Sequence, residues 1–141
     1  MLLTVINPNT TESMTATIGR AAAAVAGPGT TVRAVTRAMG PVSIESHYDE
    51  ALAVPGVLAE IAAGERLGSA GYVIACFGDP GLDAARELAA GPVVGIAEAA
   101  LRTACYLGRG FSVVTTLGRT TGRAAEIFQT AVGRVLTMVT R

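Results

Sequence analysis

The sequence predicts an α/β fold, a parallel sheet flanked by helices. Three observations carry this. Short apolar runs recur along the chain as LLTVI (2–6), TVRAV (31–35), GYVIACF (71–77), GPVVGI (91–96) and GFSVVTTL (110–117). Helical segments separate them, and an apolar strand alternating with a helix is the pattern of a parallel sheet covered on both faces. The length, 141 residues and half apolar, suits one domain with a sizeable core.

Each element follows in order. LLTVI reads as a buried strand, and NPNT (7–10) turns the chain. Thr10 or Thr11 can cap the next helix, with Glu12 in its first turn opposing the positive end of the dipole. Met14, Ile18, Ala21, Ala22 and Val25 mark one helical face, and GPG at 27–29 stops it. After the second strand, residues 36–48 show no period and read as a long loop. A helix is expected from Asp49 to about Ala63, although Pro55 sits inside its pattern. GYVIACF is a third strand, buried on both faces. Asp79 and Pro80 then read as N-cap and first position of a helix over 80–90. GPVVGI is a fourth strand, residues 98–108 a helix, and GFSVVTTL a fifth strand. A last helix is expected from about Thr121 to Val132.

Ligands of such sheets bind outside the carboxyl ends of the strands. Those ends carry Asn7 to Thr10, Thr36 to Ser46, Cys76 to Asp79, and Thr115 to Arg119, four polar loops on one edge. Cys76 precedes a helix N-terminus, which lowers a thiol pKa, while Asp79 raises it. The backbone N–H groups of Phe77 and Gly78 offer themselves to an oxyanion. Against this stands the plain reading of Cys76 as a small apolar residue. Asn9 and Thr10 are either ligand-binding groups or members of an ordinary Asx-type turn. Thr115 and Thr116 either face a ligand or serve as β-branched strand residues. Cys105, between Leu101 and Leu107, is expected in the core, and His47 in solvent.

Composition excludes several chemistries. All eleven basic residues are arginine, so neither a Schiff-base lysine nor a P-loop lysine is available. Formal net charge is zero, and no basic block interleaved with aromatics suggests nucleic acid. Two cysteines and one histidine argue against a disulfide scaffold or a metal site. A cysteine phosphatase needs arginine six residues after its cysteine, where this chain has Leu82, and Asp79 and Asp83 would repel phosphate. The N-terminus has no positive n-region, and no stretch approaches the ~18 apolar residues of a membrane span. No membrane association is expected, and a reducing cytoplasmic location with free thiols follows.

Together, INPNTTESM (6–14), GPVSIES (40–46), ACFGDPGLDAARE (75–87), PVVGIAEAA (92–100) and FSVVTTLGR (111–119) resemble the hydantoin racemase branch of the aspartate/glutamate racemase superfamily. The resemblance runs from residue 2 to about residue 119. It implies flavodoxin-like α/β lobes, no cofactor and no metal, and a small-molecule substrate such as a 5-substituted hydantoin or related amino-acid derivative. In that family a cysteine from each of two lobes flanks the stereocentre; one thiolate removes the α-proton and the opposite thiol returns one. Cys76 matches the first-lobe cysteine. Asn9, Thr10, Ile44, Phe77, Gly78, Thr115 and Thr116 match positions around the substrate.

Residues 1–97 then form the first lobe and residues 98–141 part of a second. The family's second cysteine lies in a later GCxG motif, which does not occur in this chain, and Cys105 does not fit that motif. Three readings follow: a truncated racemase-like chain of reduced activity, a chain whose site is completed by a second copy, or a non-catalytic small-ligand binding domain.

Overall fold

The computed structural model describes residues 1–115, 117–132 and 139–140. Strands β1 (Leu2–Asn7), β2 (Thr31–Thr36), β3 (Gly71–Ile74) and β4 (Val93–Gly95) form one parallel sheet in the order β2-β1-β3-β4. Helices α1 (Glu12–Val25), α2 (His47–Arg66), α3 (Leu82–Leu88) and α4 (Ile96–Leu107) follow the four strands in turn. The predicted α/β class and parallel sheet are therefore present. Strand order reverses between β1 and β3, so the loops after β1 and β3 leave in opposite directions and open a crevice at the carboxyl edge.

The core explains the sheet. Ile6, Val57, Ile61, Tyr72, Ile74, Ala85 and Val93 form one buried cluster. Ile6 on β1 pairs with Val35 on β2 and Ile74 on β3 in register. Val57 and Ile61, four apart on α2, cover the sheet from one side. α2 starts two residues before the expected Asp49 and runs past Pro55 to Arg66. Proline is tolerated there because the carbonyl it leaves free, that of Ala51, belongs to an exposed residue and can be hydrated.

Several expectations are corrected. Helix α1 turns Thr15 inward, while Met14 is 47 % and Val25 85 % exposed. The reason is polar: Thr15 Oγ1 accepts from Asn7 Nδ2 at 2.9 Å and from Thr36 Oγ1 at 2.6 Å, which rotates the helix towards the strand ends. Strand β3 stops at Ile74, so Cys76 lies in the turn beyond it. Asp79 does not cap its own helix: Gly81 is the N-cap of α3, with φ 72°. Cys105 is exposed on α4 rather than packed in the core, because the face that α4 buries is Ala97 and Leu101.

Beyond α4 the described residues do not extend the main sheet. Strand β5 (Val114–Thr115) is two residues long, shorter than expected, and pairs in parallel with β6 (Val139–Thr140). A 3₁₀ turn (Gly118–Thr120) leads into α5 (Thr121–Val132), whose span agrees with the sequence. A second cluster of Ala97, Leu101, Ile127 and Phe128 packs α5 on α4. Phe111 meets Phe128 edge-on, with ring centroids 5.7 Å apart, a favourable aromatic geometry.

Candidate functional site

A cavity of about 420 Å³ opens at the carboxyl edge of the sheet. Its wall includes Ser43 to His47 from the loop after β2, Glu50 from α2, Cys76 to Gly78 from the turn after β3, Val114 and Thr115 from β5, and Arg119 and Arg123 near α5. Of the residues singled out by sequence, Ile44, Cys76, Phe77, Gly78 and Thr115 line it together. Thr116 lies outside the described residues.

Asn9 and Thr10 are not among the lining residues. Asn9 Oδ1 accepts from Asn7 Nδ2 at 2.7 Å and from the Thr11 N–H at 2.9 Å, which closes an Asx-type turn. The Thr10 N–H donates to Pro41 O at 3.1 Å and the Thr11 hydroxyl to Val42 O at 2.9 Å. The NPNT turn thus holds the loop whose next residues, Ser43 to Ser46, form the cavity wall. Ser46 caps α2: its hydroxyl accepts from Asp49 N–H and donates to Asp49 Oδ2 at 2.7 Å, which lowers the Asp49 carboxyl pKa.

Cys76 is a half-buried residue of this wall. Burial pushes its pKa up to about 12, the carboxylates of Asp79 and Glu50 push it the same way, and Arg123 opposes them. The thiol is therefore protonated at neutral pH, and the raising influences win over any helix N-terminus. The Gly78 N–H and Asp79 N–H both bond to Cys76 O, at 2.9 and 3.1 Å. That commits the Gly78 N–H to the turn rather than to an oxyanion. The Phe77 N–H has no acceptor among the described residues.

Charged residues that sequence reasoning left aside gather here. Arg123 Nη2 donates to Glu50 Oε1 at 2.6 Å and to Gly78 O at 2.9 Å, tying α5 to α2 and to the cysteine turn. Arg119 donates to Glu45 Oε2 at 2.7 Å and to Glu45 O at 2.9 Å. Glu50 carried a signal, since it lies in the first turn of a helix that follows a strand-end loop. Arg123 carried none, being one arginine in a polar stretch. Replacing Arg123 by glutamine is expected to slow alkylation of Cys76 at pH 8 several-fold, because the cation that favours the thiolate is lost while Glu50 remains. An unchanged or faster rate in a folded variant would contradict that electrostatic assignment.

Among the described residues no three His, Cys, Asp or Glu side chains gather as metal ligands. No described helix is long and apolar enough to cross a membrane.

Known proteins of the same build place this cavity in context. The family description Asp/Glu/Hydantoin racemase matches residues 3–138. The chain is 55 % identical over 119 residues to a hydantoin racemase of Pseudomonas sp. (strain NS671), an alignment covering 84 % of this chain and 48 % of the relative. It is 53 % identical over 119 residues to a hydantoin racemase of Rhizobium meliloti, again covering 84 % of this chain and 49 % of the relative. The solved structure of an allantoin racemase from Klebsiella pneumoniae superposes with a TM-score of 0.91 at 55 % identity, over 93 % of this chain and 54 % of that one. The chain thus spans about half the length of these relatives. With a family match over nearly its whole length and the parallel sheet to go with it, the chain belongs to the Asp/Glu/hydantoin racemase family.

Proposed function

We propose that this chain carries a cofactor-independent racemase half-site in which Cys76 moves the α-proton of a 5-substituted hydantoin or a related ureide. The observation that carries the reading is the Cys76 thiol at the wall of the carboxyl-edge cavity, in a chain of this family. An acidic C–H beside a carbonyl needs a base within about 3 Å and a donor for the enolate oxygen. The Phe77 N–H is the nearest free donor to that thiol in sequence. A thiolate with a pKa of about 12 is rare at neutral pH, yet it is a stronger base towards carbon than an ordinary one. In the resting protein the thiol is instead poised to deliver a proton.

Racemisation by two groups needs a base on one face of the substrate to take the α-proton and an acid on the other to return one. Among the described residues Cys76 is the one thiol in the cavity, since Cys105 does not line it. The opposing group is then Glu50 or His47, which line the same cavity, or a group outside the described residues or on a second copy. The same observation favours a second reading, a ligand-binding domain without turnover.

Enantiopure 5-substituted hydantoin, followed by optical rotation and by α-proton exchange in D₂O, separates these readings. Exchange with loss of rotation, reduced at least about 10²-fold by Cys76→Ser, supports racemisation. Exchange with retained configuration means chemistry on one face. Saturable binding with neither leaves the binding domain, and the racemase reading fails. Because the base is the thiolate, exchange is expected to rise about tenfold per pH unit from pH 7 to 9. A rate flat over that range would exclude Cys76 as the base.

A further inference from the structure

We propose that Asp79 is a positioning residue for Cys76: its carboxylate grips the first turn of α4 and thereby holds the turn that presents the thiol to the cavity. The proposal rests on reading Cys76 as the reacting group, but its test requires no turnover.

Among the described residues Asp79 is the one non-glycine residue with a positive φ, 46°. Such a conformation is disfavoured for a residue with a Cβ, least so for Asp and Asn, and is held here by the side chain's own bonds. The residue is 5 % exposed. Its two carboxylate oxygens accept from the backbone N–H groups of Ala97 at 3.0 Å and Glu98 at 2.7 Å. These are groups that a helix N-terminus leaves without internal partners, and the α4 dipole favours an anion there. Burial raises the Asp79 pKa, and those same N–H groups work against the rise by favouring the charged form.

The grip passes to Cys76 through short links. Cys76 O receives the N–H groups of Gly78 and Asp79, and Asp79 O receives the N–H of Leu82 at 3.2 Å. Arg123 holds Gly78 O from the other side. Gly95, the last residue of β4, is glycine for a steric reason: a Cβ there would overlap the Asp79 carboxylate. Sheet, α4 and cysteine turn therefore meet at one carboxylate. The charged groups that act on Cys76 are Asp79 on its own turn, Glu50 from α2 and Arg123 from α5; Glu45, His47 and Arg119 line the same cavity.

The test uses iodoacetamide alkylation of Cys76, followed by mass spectrometry across pH in a Cys105→Ser chain. Asp79→Asn and Asp79→Gly, which both accept a positive φ, are expected to alkylate at least about tenfold faster at pH 8, with the profile displaced to lower pH. Gly95→Ala keeps the charge but displaces the carboxylate, and is expected to speed alkylation as well. Gly19→Ala, which presses on Ala34 away from the cavity, serves as a packing control: it is expected to lower Tm and leave the profile unchanged. Profiles of folded Asp79→Asn and Asp79→Gly that superpose on that of the unaltered chain would overturn the proposal. If both Asp79 variants fail to fold, Gly95→Ala decides on the same criterion. Amide exchange in the unaltered chain probes the grip without any variant: protected Ala97 and Glu98 N–H groups are expected, and exchange at the rate of free amides overturns the grip. A chain that shows these shifts but exchanges no substrate proton retains Asp79 as a positioning residue and loses the racemase reading.

Discussion

Iodoacetamide is expected to modify Cys76 roughly fifty-fold more slowly than a free cysteine at neutral pH, and to reach the exposed Cys105 first. Cys105 is exposed on α4, whereas Cys76 is held protonated by desolvation and by the carboxylates of Asp79 and Glu50. A thiol at about 12 carries roughly 10³ less thiolate at pH 7 than an ordinary thiol near ~8.5–9. Its thiolate is more nucleophilic, and a Brønsted slope of about 0.45 returns some twentyfold of that loss. The profile is the sharper measure. Cys76 is expected to gain about tenfold per pH unit well past pH 9, where an ordinary thiol has levelled off. A Cys76 profile that turns over near pH 8.5 would show that its surroundings do not hold the proton.

Replacing Ile74 by alanine is expected to destabilise the chain by about 2–5 kcal/mol. Ile74 is fully buried at the carboxyl end of β3, paired with Ile6 on one side and Gly95 on the other. No neighbour can collapse into the space easily, because the sheet is covered there by α2 through Val57 and Ile61. Small domains hold only about 5–15 kcal/mol in total, so this one change removes much of the reserve. Urea unfolding reads it as a lower midpoint at an unchanged slope. A loss below about 1 kcal/mol would mean that the core around β3 is less tightly packed than described. Because Cys76 follows two residues later, the same variant is expected to quicken its alkylation by loosening the end of the strand.

Two motifs near the site bond elsewhere than their sequence suggests. NPNT stands in the family segment, yet in this chain Asn9 and Thr10 build a turn that supports the loop of Ile44 instead of lining the cavity. Asp79 stands where a helix cap is expected and caps the following helix instead. In both cases the residue type signals hydrogen bonding correctly, and only the fold supplies the partner. A side-chain oxygen with a free lone pair accepts from whichever donor the fold brings near, and sequence distance says little about which that is.

What the sequence by itself determined is local: four of the apolar strands, the helices between them, the turn residues at their ends, and Cys76, Phe77, Gly78, Ile44 and Thr115 at one edge. Apolar runs, caps and strand–helix alternation are short-range signals, and the parallel arrangement follows from them because crossover helices must cover both faces. The tertiary structure alone decided which side of α1 faces inward, that Cys105 is exposed, that β5 leaves the main sheet, and that Glu50 and Arg123 join Asp79 beside the thiol. These depend on contacts between residues far apart, such as Asp79 with Ala97 and Arg123 with Gly78. They exist only after strand order has set β3 beside β4 and brought α5 over the cysteine turn. The protonation of Cys76 belongs mainly to that second group, because desolvation, its largest cause, and the charges of Glu50 and Arg123 are properties of the packed edge, whereas the motif itself showed only Asp79.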